Sequence, residues 1–209
     1  MGKHAIITGA SRGIGYEVSA YFAIKGYNLS LIARSQESLD SAIEALQSAF
    51  PGSDIKGYSL DVSQMEEAYN TIKTVIAEHG GQIDILFNNA GIAERGTTDM
   101  PLSEFADVQA INVNGAFAVA KSVAECMREQ RSGYIFNLAS NSGKRARANM
   151  GGYAASKFAL VGFSQSLFRE MLPYGVKVTS ICPSIVATSM TKKSPLPDEK
   201  KFSLLTLLG

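Results

Sequence analysis

Tyr153 and Lys157 lie four residues apart and are the side chains of this sequence best suited to proton transfer. In a helix this spacing places both on one face. A free tyrosine has a pKa of about 10, and a neighbouring ammonium favours the phenolate and lowers that pKa. Ser140 ends an apolar run before them and adds a second hydroxyl. Such donors could meet a carbonyl oxygen as negative charge develops on it.

A glycine-rich segment near the N-terminus, Thr8–Gly15, offers a site for a phosphate-bearing cofactor. It lies between a predicted strand and a predicted helix, where glycine allows positive φ and the free N–H groups of the helix attract a pyrophosphate. The spacing is Gly-x-x-x-Gly-x-Gly, and a glycine turn that merely packs strand on helix is the alternative. We predict that a dinucleotide contacts the following residues: Gly9, Ser11, Arg12, Gly13, Ile14 and Gly15.

Two arginines favour NADP as that dinucleotide. Arg34 ends the second predicted strand, where an acidic residue would bind the ribose 2′-OH of NAD. A guanidinium suits the 2′-phosphate of NADP instead. Arg12 stands at a predicted helix N-terminus, which disfavours a cation unless an anion offsets it. Two solvated surface arginines are the alternative interpretation.

The elements that must position these residues alternate along the chain. Short apolar runs predict strands at Lys3–Thr8, Tyr27–Ala33, Asp54–Leu60, Ile83–Phe87, Tyr134–Leu138 and Val176–Cys182. Helical spacing predicts helices at Gly13–Lys25, Gln36–Phe50, Gln64–His79, Tyr153–Leu172 and Ser103–Arg131, the last with a break near Asn112–Gly115. This order indicates an α/β fold, a doubly wound Rossmann-type parallel sheet with helices on both faces. We predict one domain over residues 1–209, because no linker or repeat interrupts the pattern.

Composition excludes several classes of function. The 209 residues are 45% hydrophobic and 19% charged, as in globular proteins. Twenty basic and nineteen acidic residues give a net charge of +1, so nothing favours nucleic acid or an anionic membrane. Two cysteines, no signal peptide and no long apolar span predict a cytoplasmic protein. His4 and His79 have no partners at metal-ligand spacing, so we predict no metal site.

Three motifs, in this order, resemble the short-chain dehydrogenase/reductase family: Thr8–Gly15, Asn88-Asn-Ala-Gly91 and Tyr153-Ala-Ala-Ser-Lys157. The resemblance covers roughly residues 3–190. It implies that Tyr153 is the general acid in reduction and the base in oxidation. It also implies that Lys157 lowers the pKa of Tyr153 and binds the nicotinamide ribose, and that Ser140 polarises the substrate carbonyl.

The same resemblance implies further site residues. Asn112 matches an asparagine that kinks its helix and supports a water-mediated proton relay to the lysine, and Asn114 is a lesser candidate. The remaining cofactor contacts follow strand ends, from the adenine to the nicotinamide: Asp61, Val62, Asn88, Ala90, Pro183 and Thr188. Gly91 would stabilise the sheet beside the cofactor.

Two features depart from the family. Ser184 follows Pro183 where the family has glycine, so we expect a differently set nicotinamide loop. The chain ends at Gly209, whereas family members run further. We therefore expect a C-terminally shortened fold, either naturally short or with a tail lost, and the resemblance leaves the substrate lid and the far sheet edge open.

We predict an NADP(H)-dependent oxidoreductase that interconverts a ketone and a secondary alcohol. A 3-oxoacyl thioester, a small carbonyl compound, a sugar and a steroid stay open as substrates, and the signs of NADP favour reduction of the first two. Lys144, Arg145 and Arg147 suggest an anionic substrate, such as an acyl chain on an acidic carrier protein, or simply a solvated loop. The alternative function is a dinucleotide-binding sensor or scaffold with weak turnover.

Apolar residues on two sides of the predicted helix Tyr153–Leu172 predict a homodimer. One stripe comprises Phe158, Val161, Phe168 and Leu172, and another comprises Leu160, Leu167 and Met171. The sheet can cover one stripe, and a two-fold-related subunit is the natural cover for the other. The stretch Ala110–Ala124 has the same apolar character, and the resemblance implies this contact too. Family tetramers add a second contact through a C-terminal strand and helix, which this sequence largely lacks. We therefore expect a dimer rather than a tetramer.

Overall fold

In the computed structural model, which describes residues 2–186, six parallel strands form one central sheet. They are β1 (His4–Thr8), β2 (Asn28–Ala33), β3 (Ile55–Ser59), β4 (Ile85–Asn88), β5 (Gly133–Leu138) and β6 (Val176–Ile181). Their order is β3-β2-β1-β4-β5-β6, and every neighbouring pair is parallel. This is the doubly wound, Rossmann-type sheet that the alternating pattern predicts.

Helices cover both faces of the sheet. They are α1 (Gly13–Ile24), α2 (Gln36–Ala49), α3 (Met65–Glu78), α4 (Leu102–Gln109), α5 (Ala116–Gln130) and α6 (Gly151–Met171). Side chains alternate along β1, so Ala5 and Ile7 pack under α1 and α2, whereas Ile6 packs under α3 and α5. Within residues 2–186, no helix is long and apolar enough to cross a membrane.

The helix predicted over Ser103–Arg131 is interrupted, as expected, by a π-helix at Ala110–Gly115 between α4 and α5. This wide turn places the Asn112 side chain against the loop that follows β4. The Asn112 amide accepts a hydrogen bond from Ile92 N and donates one to Ile92 O, both at 2.8 Å. The break is therefore a positioning device for Asn112, in line with the frequent occurrence of π-turns at functional sites.

One predicted stripe of α6 lies in the core and the other reaches the surface. Leu160, Leu167 and Met171 are buried, whereas Phe158, Phe168 and Leu172 are 47%, 41% and 58% exposed. On α5 most apolar residues face the core, and Phe117 is the exposed exception. The two-sided apolar character predicted for α6 is therefore real, whereas that of Ala110–Ala124 is largely core packing.

A buried histidine begins the central strand. His4 is 3% exposed and its ring stacks on His79 with centroids 4.0 Å apart. Its Nδ1 lies 3.2 Å from Gln82 O and its Nε2 lies 2.9 Å from Ser30 Oγ. Nδ1 must donate to the carbonyl, so Nε2 accepts from Ser30 in a neutral ring. Burial lowers the pKa of His4 to about 4, and the nearby His79 acts in the same direction.

We expect this protein to lose stability between pH 7 and pH 5 because of His4. The unfolded chain binds a proton at this residue near its ordinary pKa of 6.5, and the folded chain does so only at about 4. Stability from His4 is therefore complete above pH 6.5 and is lost as the pH falls, by about 2 kcal/mol at pH 5. His4→Asn keeps a donor for Gln82 without titrating, so its urea midpoints should depend less on pH. Equal pH dependence in both proteins would contradict the assignment.

Candidate active site

A cleft of about 600 Å³ opens at the carboxyl ends of the strands. It lies where the strand order reverses between β1 and β4, the position at which doubly wound sheets bind ligands. Most predicted site residues line it together: Gly9, Ser11, Arg12, Gly13, Ile14, Arg34, Asp61, Val62, Ala90, Ser140, Tyr153, Lys157 and Pro183. Thr188 lies outside the described residues. Gly15, Asn88 and Asn112 stand behind the lining.

The glycine-rich loop has the backbone that its sequence predicts. Gly9 and Gly13 have φ of +64° and +58°. A Cβ on Gly15 would overlap the carbonyl of Gly9, so the loop and the start of α1 approach more closely than any side chain allows. Arg12 precedes α1 in an extended conformation, and the first turn of α1 has neither a side-chain cap nor an acidic residue. Its N–H groups and positive potential therefore remain available to an anion.

Asn89 holds this loop in place, although only its neighbours Asn88, Ala90 and Gly91 were predicted to have a role. The Asn89 side-chain amide donates to Thr8 O at 2.9 Å and to Gly9 O at 3.1 Å. Thr8 Oγ1 in turn accepts from the backbone N–H groups of Asn89 and Ala90, both at 2.9 Å. Membership of the Asn-Asn-Ala-Gly motif was the available signal for Asn89.

Two arginine side chains place positive charge at one end of the cleft. Arg34, at the end of β2, and Arg12 both line it, and neither forms an ion pair within residues 2–186. Ser35 caps α2 by accepting a hydrogen bond from Ser38 N at 3.2 Å. Asp61 also lines this end, and its carboxylate accepts from Ser63 N at 3.0 Å. The arginines and the start of α2 form a surface suited to a phosphate.

Tyr153, Lys157 and Ser140 meet at the other end. Lys157 is 5% exposed, its Nζ donates to Leu138 O at 2.9 Å, and it lies 5.7 Å from the centre of the Tyr153 ring. Burial lowers the pKa of Lys157 to about 8. Burial also raises the pKa of Tyr153 above its usual value, and an interaction with the Ser140 hydroxyl opposes this without cancelling it.

This Tyr153 pKa differs from the expectation that Lys157 lowers it. The physical reason is that the ammonium is directed to the Leu138 carbonyl, while the half-buried phenol loses solvent and this penalises its charged form. The protein chain by itself therefore keeps Tyr153 as a protonated phenol. That form is a proton donor.

Asn112 reaches the same place from the π-helix. Its amide donates to Ser156 Oγ at 3.0 Å, and Ser156 donates to Tyr153 O at 2.7 Å. A Cβ on Gly91 would lie 3.0 Å from Asn112 Oδ1 and 3.6 Å from Lys157 Nζ, so glycine permits this convergence. Asn114 is exposed, which leaves Asn112 as the asparagine beside the lysine.

The loop that follows β6 accommodates Ser184 without backbone strain. Pro183 O accepts from Asn141 N at 2.8 Å, which joins this loop to the turn after Ser140. Within residues 2–186, only Arg131 and Asn149 among non-glycine residues have positive φ. Ser184 therefore adopts a conformation open to any residue, and its departure from the family's glycine costs no backbone strain here.

Comparison with known proteins agrees with this geometry. A model of the short chain dehydrogenase family matches residues 3–199. The chain is 35% identical over 205 residues to the 3-oxoacyl-acyl-carrier-protein reductase FabG of Vibrio cholerae, covering 98% of this chain and 81% of that protein.

Two solved structures with similar folds bind different cofactors. ElxO with NADP bound has a TM-score of 0.89 at 26% identity and covers 99% of this chain and 88% of its own. NAD⁺-bound xylitol dehydrogenase has a TM-score of 0.84 at 33% identity and covers 88% of this chain and 71% of its own. The relatives therefore support a nicotinamide dinucleotide and leave the choice between NAD and NADP to this chain's own residues.

Proposed function

Because this chain belongs to the short chain dehydrogenase family, we propose that it is an NADP(H)-dependent oxidoreductase that reduces a ketone to a secondary alcohol. The observation that carries the proposal is the meeting of Tyr153, Ser140 and Lys157 at one end of a cleft whose other end is cationic. A sensor or scaffold of the same fold would not need a proton donor in the cleft beside a buried lysine.

When bound in this cleft, NADPH would supply the hydride that reduces the carbonyl carbon. The Ser140 hydroxyl and the Tyr153 phenol donate hydrogen bonds to the carbonyl oxygen, where negative charge develops, and Tyr153 transfers its proton. Lys157, with its Nζ held by Leu138 O at 2.9 Å, would bind the nicotinamide ribose. Asn112 supports proton return towards Lys157 through water.

Cofactor preference rests on the cationic end of the cleft. Arg12 and Arg34 bind the 2′-phosphate, and the N–H groups at the start of α1 bind the pyrophosphate. Asp61 and Val62 would contact the adenine, and Pro183 would lie beside the nicotinamide. This assignment favours reduction, because NADPH generally serves as a reductant.

The proposed substrate is a 3-oxoacyl thioester or a small carbonyl compound. The name of the Vibrio cholerae relative supports the first. Lys144, Arg145 and Arg147 are exposed between Ser140 and Tyr153, and they suit an acyl chain carried by an acidic protein. Both cysteines of the chain are free thiols, which suits a cytoplasmic location.

The proposed assembly is a homodimer through α5 and α6. Phe158 and Phe168 are exposed on α6, Leu172 is exposed directly after it, and Phe117 is exposed on α5. A Cβ on Gly162 would meet no atom within 4 Å, so this part of α6 is open to the close approach of another helix. A two-fold axis can pair such a surface with its own copy.

Tyr153→Phe tests the chemistry, because it removes the transferable proton and keeps the ring. We expect turnover of a panel of ketones and 3-oxoacyl thioesters with NADPH to fall at least ~100-fold. NADPH affinity should change little. The matched control is Tyr58→Phe, whose hydroxyl bonds Glu78 outside the cleft and whose loss should leave turnover intact. Near-normal activity of Tyr153→Phe would refute the assignment, and a parent protein without turnover on any substrate would favour the sensor or scaffold.

Cofactor choice is tested by titrating NADPH and NADH. NADPH should bind more tightly by about 1.5–3 kcal/mol, the size of a charge-assisted hydrogen bond. Arg34→Asp should reverse the preference, because a carboxylate repels the 2′-phosphate and accepts from a 2′-OH. Lys25→Asp makes the same charge change just beyond the far end of α1 and should preserve the preference. Equal affinities in the parent would contradict the role of Arg34.

Phe168→Glu tests the dimer by placing a charge in the exposed stripe of α6. Sedimentation at micromolar concentration should show a dimer for the parent and a shift towards monomer for the variant. Ile24→Glu is the control, since Ile24 is 64% exposed but lies on α1. A monomeric parent protein would show that no second subunit covers the exposed stripe. A tetramer would require a second contact surface between subunits.

A further inference from the structure

A continuous hydrogen-bonded series of buried polar side chains crosses the protein beneath the cleft. Thr8 Oγ1 lies 3.3 Å from Asn88 Oδ1, and Asn88 Nδ2 lies 3.2 Å from Asn137 Oδ1 and 2.8 Å from Ala116 O. Asn137 Nδ2 then lies 3.0 Å from Ser164 Oγ. These side chains are at most 4% exposed and come from β1, β4, β5 and α6. This hydrogen-bonded series thus connects the strand before the glycine-rich loop to the helix that bears Tyr153 and Lys157.

In this series every hydrogen bond has the same donor-to-acceptor direction, from Thr8 towards α6. Thr8 Oγ1 already accepts from two backbone N–H groups, so its own proton goes to Asn88 Oδ1. That orients the Asn88 amide, whose Nδ2 donates to Asn137, and the Asn137 amide then donates to Ser164. The Ser164 hydroxyl completes the chain by donating to Leu160 O at 2.6 Å. Bonds aligned in this way polarise one another, and reversing one amide leaves its neighbours without partners.

Two successive residues of β5 therefore hold α6 by directional contacts. The Asn137 side chain bonds Ser164, and the Leu138 carbonyl accepts from Lys157 Nζ at 2.9 Å. Lys157 and Ser164 are seven residues apart, about two helical turns, and lie on the same face of the helix. Nearer the start of α6, Asn112 also donates to Ser156 Oγ at 3.0 Å. The contacts of Leu160 and Leu167 are apolar and do not by themselves specify how far the helix slides along the sheet.

We propose that Asn137 and Ser164 are positioning residues that set the register of α6 against the sheet, and thereby the placement of Tyr153 and Lys157 relative to the cofactor. This inference rests on the proposed function. Neither side chain lines the cleft, so neither touches cofactor or substrate. They act through the helix, and a displacement of the order of 1 Å at the reacting groups lowers the rate by about 100-fold.

Ser164→Ala tests the inference, with Ser122→Ala as the matched control. Both serines are buried in helices, at 3% and 1% exposure, but Ser122 Oγ has no hydrogen-bond partner in the described part of the chain. We expect Ser164→Ala to lower kcat by about 10-fold, measured well below its unfolding temperature, with the dissociation constant of NADPH within about twofold of the parent value. Ser164→Thr retains the hydroxyl and should restore most of the loss, and Ser122→Ala should keep the parental kcat.

A purely structural role would lower the unfolding temperature of Ser164→Ala and leave kcat per NADPH-binding site unchanged, which would overturn the proposal. An equal loss of kcat in Ser122→Ala would overturn it too. If Ser164→Ala does not fold, Ser164→Cys replaces the hydroxyl by a somewhat larger thiol that is a weaker acceptor, and its kcat should fall below that of the parent; a parental kcat would again overturn the proposal.

Hydrogen exchange separates this inference from the proposed function. The peptide Met150–Lys157 lies at the other end of α6 from Ser164, and its amides should exchange faster in Ser164→Ala than in the parent or in Ser122→Ala. If the parent protein turns over no carbonyl substrate, the proposed function fails, and hydrogen exchange alone tests the positioning role of Ser164. Unchanged exchange in that peptide would then overturn the positioning role.

Discussion

All six strands run in the same direction, and the site depends on this constraint. Parallel strands need crossover helices, and their carboxyl ends meet at one edge of the sheet. The chain builds β1, β2 and β3 outward on one side and β4, β5 and β6 outward on the other. The loops after β1 and β4 therefore diverge from the centre and leave a cleft between them. Residues as distant in sequence as Gly9, Arg34 and Tyr153 line that one cleft.

The two ends of the cleft differ in their electrostatic environment. Arg12 and Arg34 are exposed to solvent, so their charges cost little until an anion arrives. Tyr153 is half-buried and Lys157 is buried, and the loss of solvent favours the neutral forms of both, raising the pKa of Tyr153 and lowering that of Lys157. One end is thus suited to binding a charged group and the other to moving a proton.

Close backbone approach and directed polar contacts set the site geometry together. Glycine at position 91 lets Asn112 and Lys157 converge, and Gly143 lets the turn after Ser140 lie against the backbone of Lys157, where a Cβ would approach its carbonyl to 2.6 Å. Buried amides then supply direction, as Asn112 does towards Ile92. Apolar packing alone is non-directional, so these polar contacts carry the precision that proton transfer requires.

The sequence by itself determined the alternation of strands and helices, the glycine-rich loop and the Tyr153–Lys157 pair, because these depend on local periodicity and on residues close together in the chain. It also located the break before Ala116, since glycine and asparagine disrupt an otherwise regular helix. Only the tertiary structure decided that Lys157 bonds the carbonyl of Leu138, that burial raises the pKa of Tyr153, and that Asn137 meets Ser164. A backbone acceptor, a desolvated phenol and a contact between β5 and α6 leave no spacing pattern in the sequence, because each arises only when distant segments exclude water together.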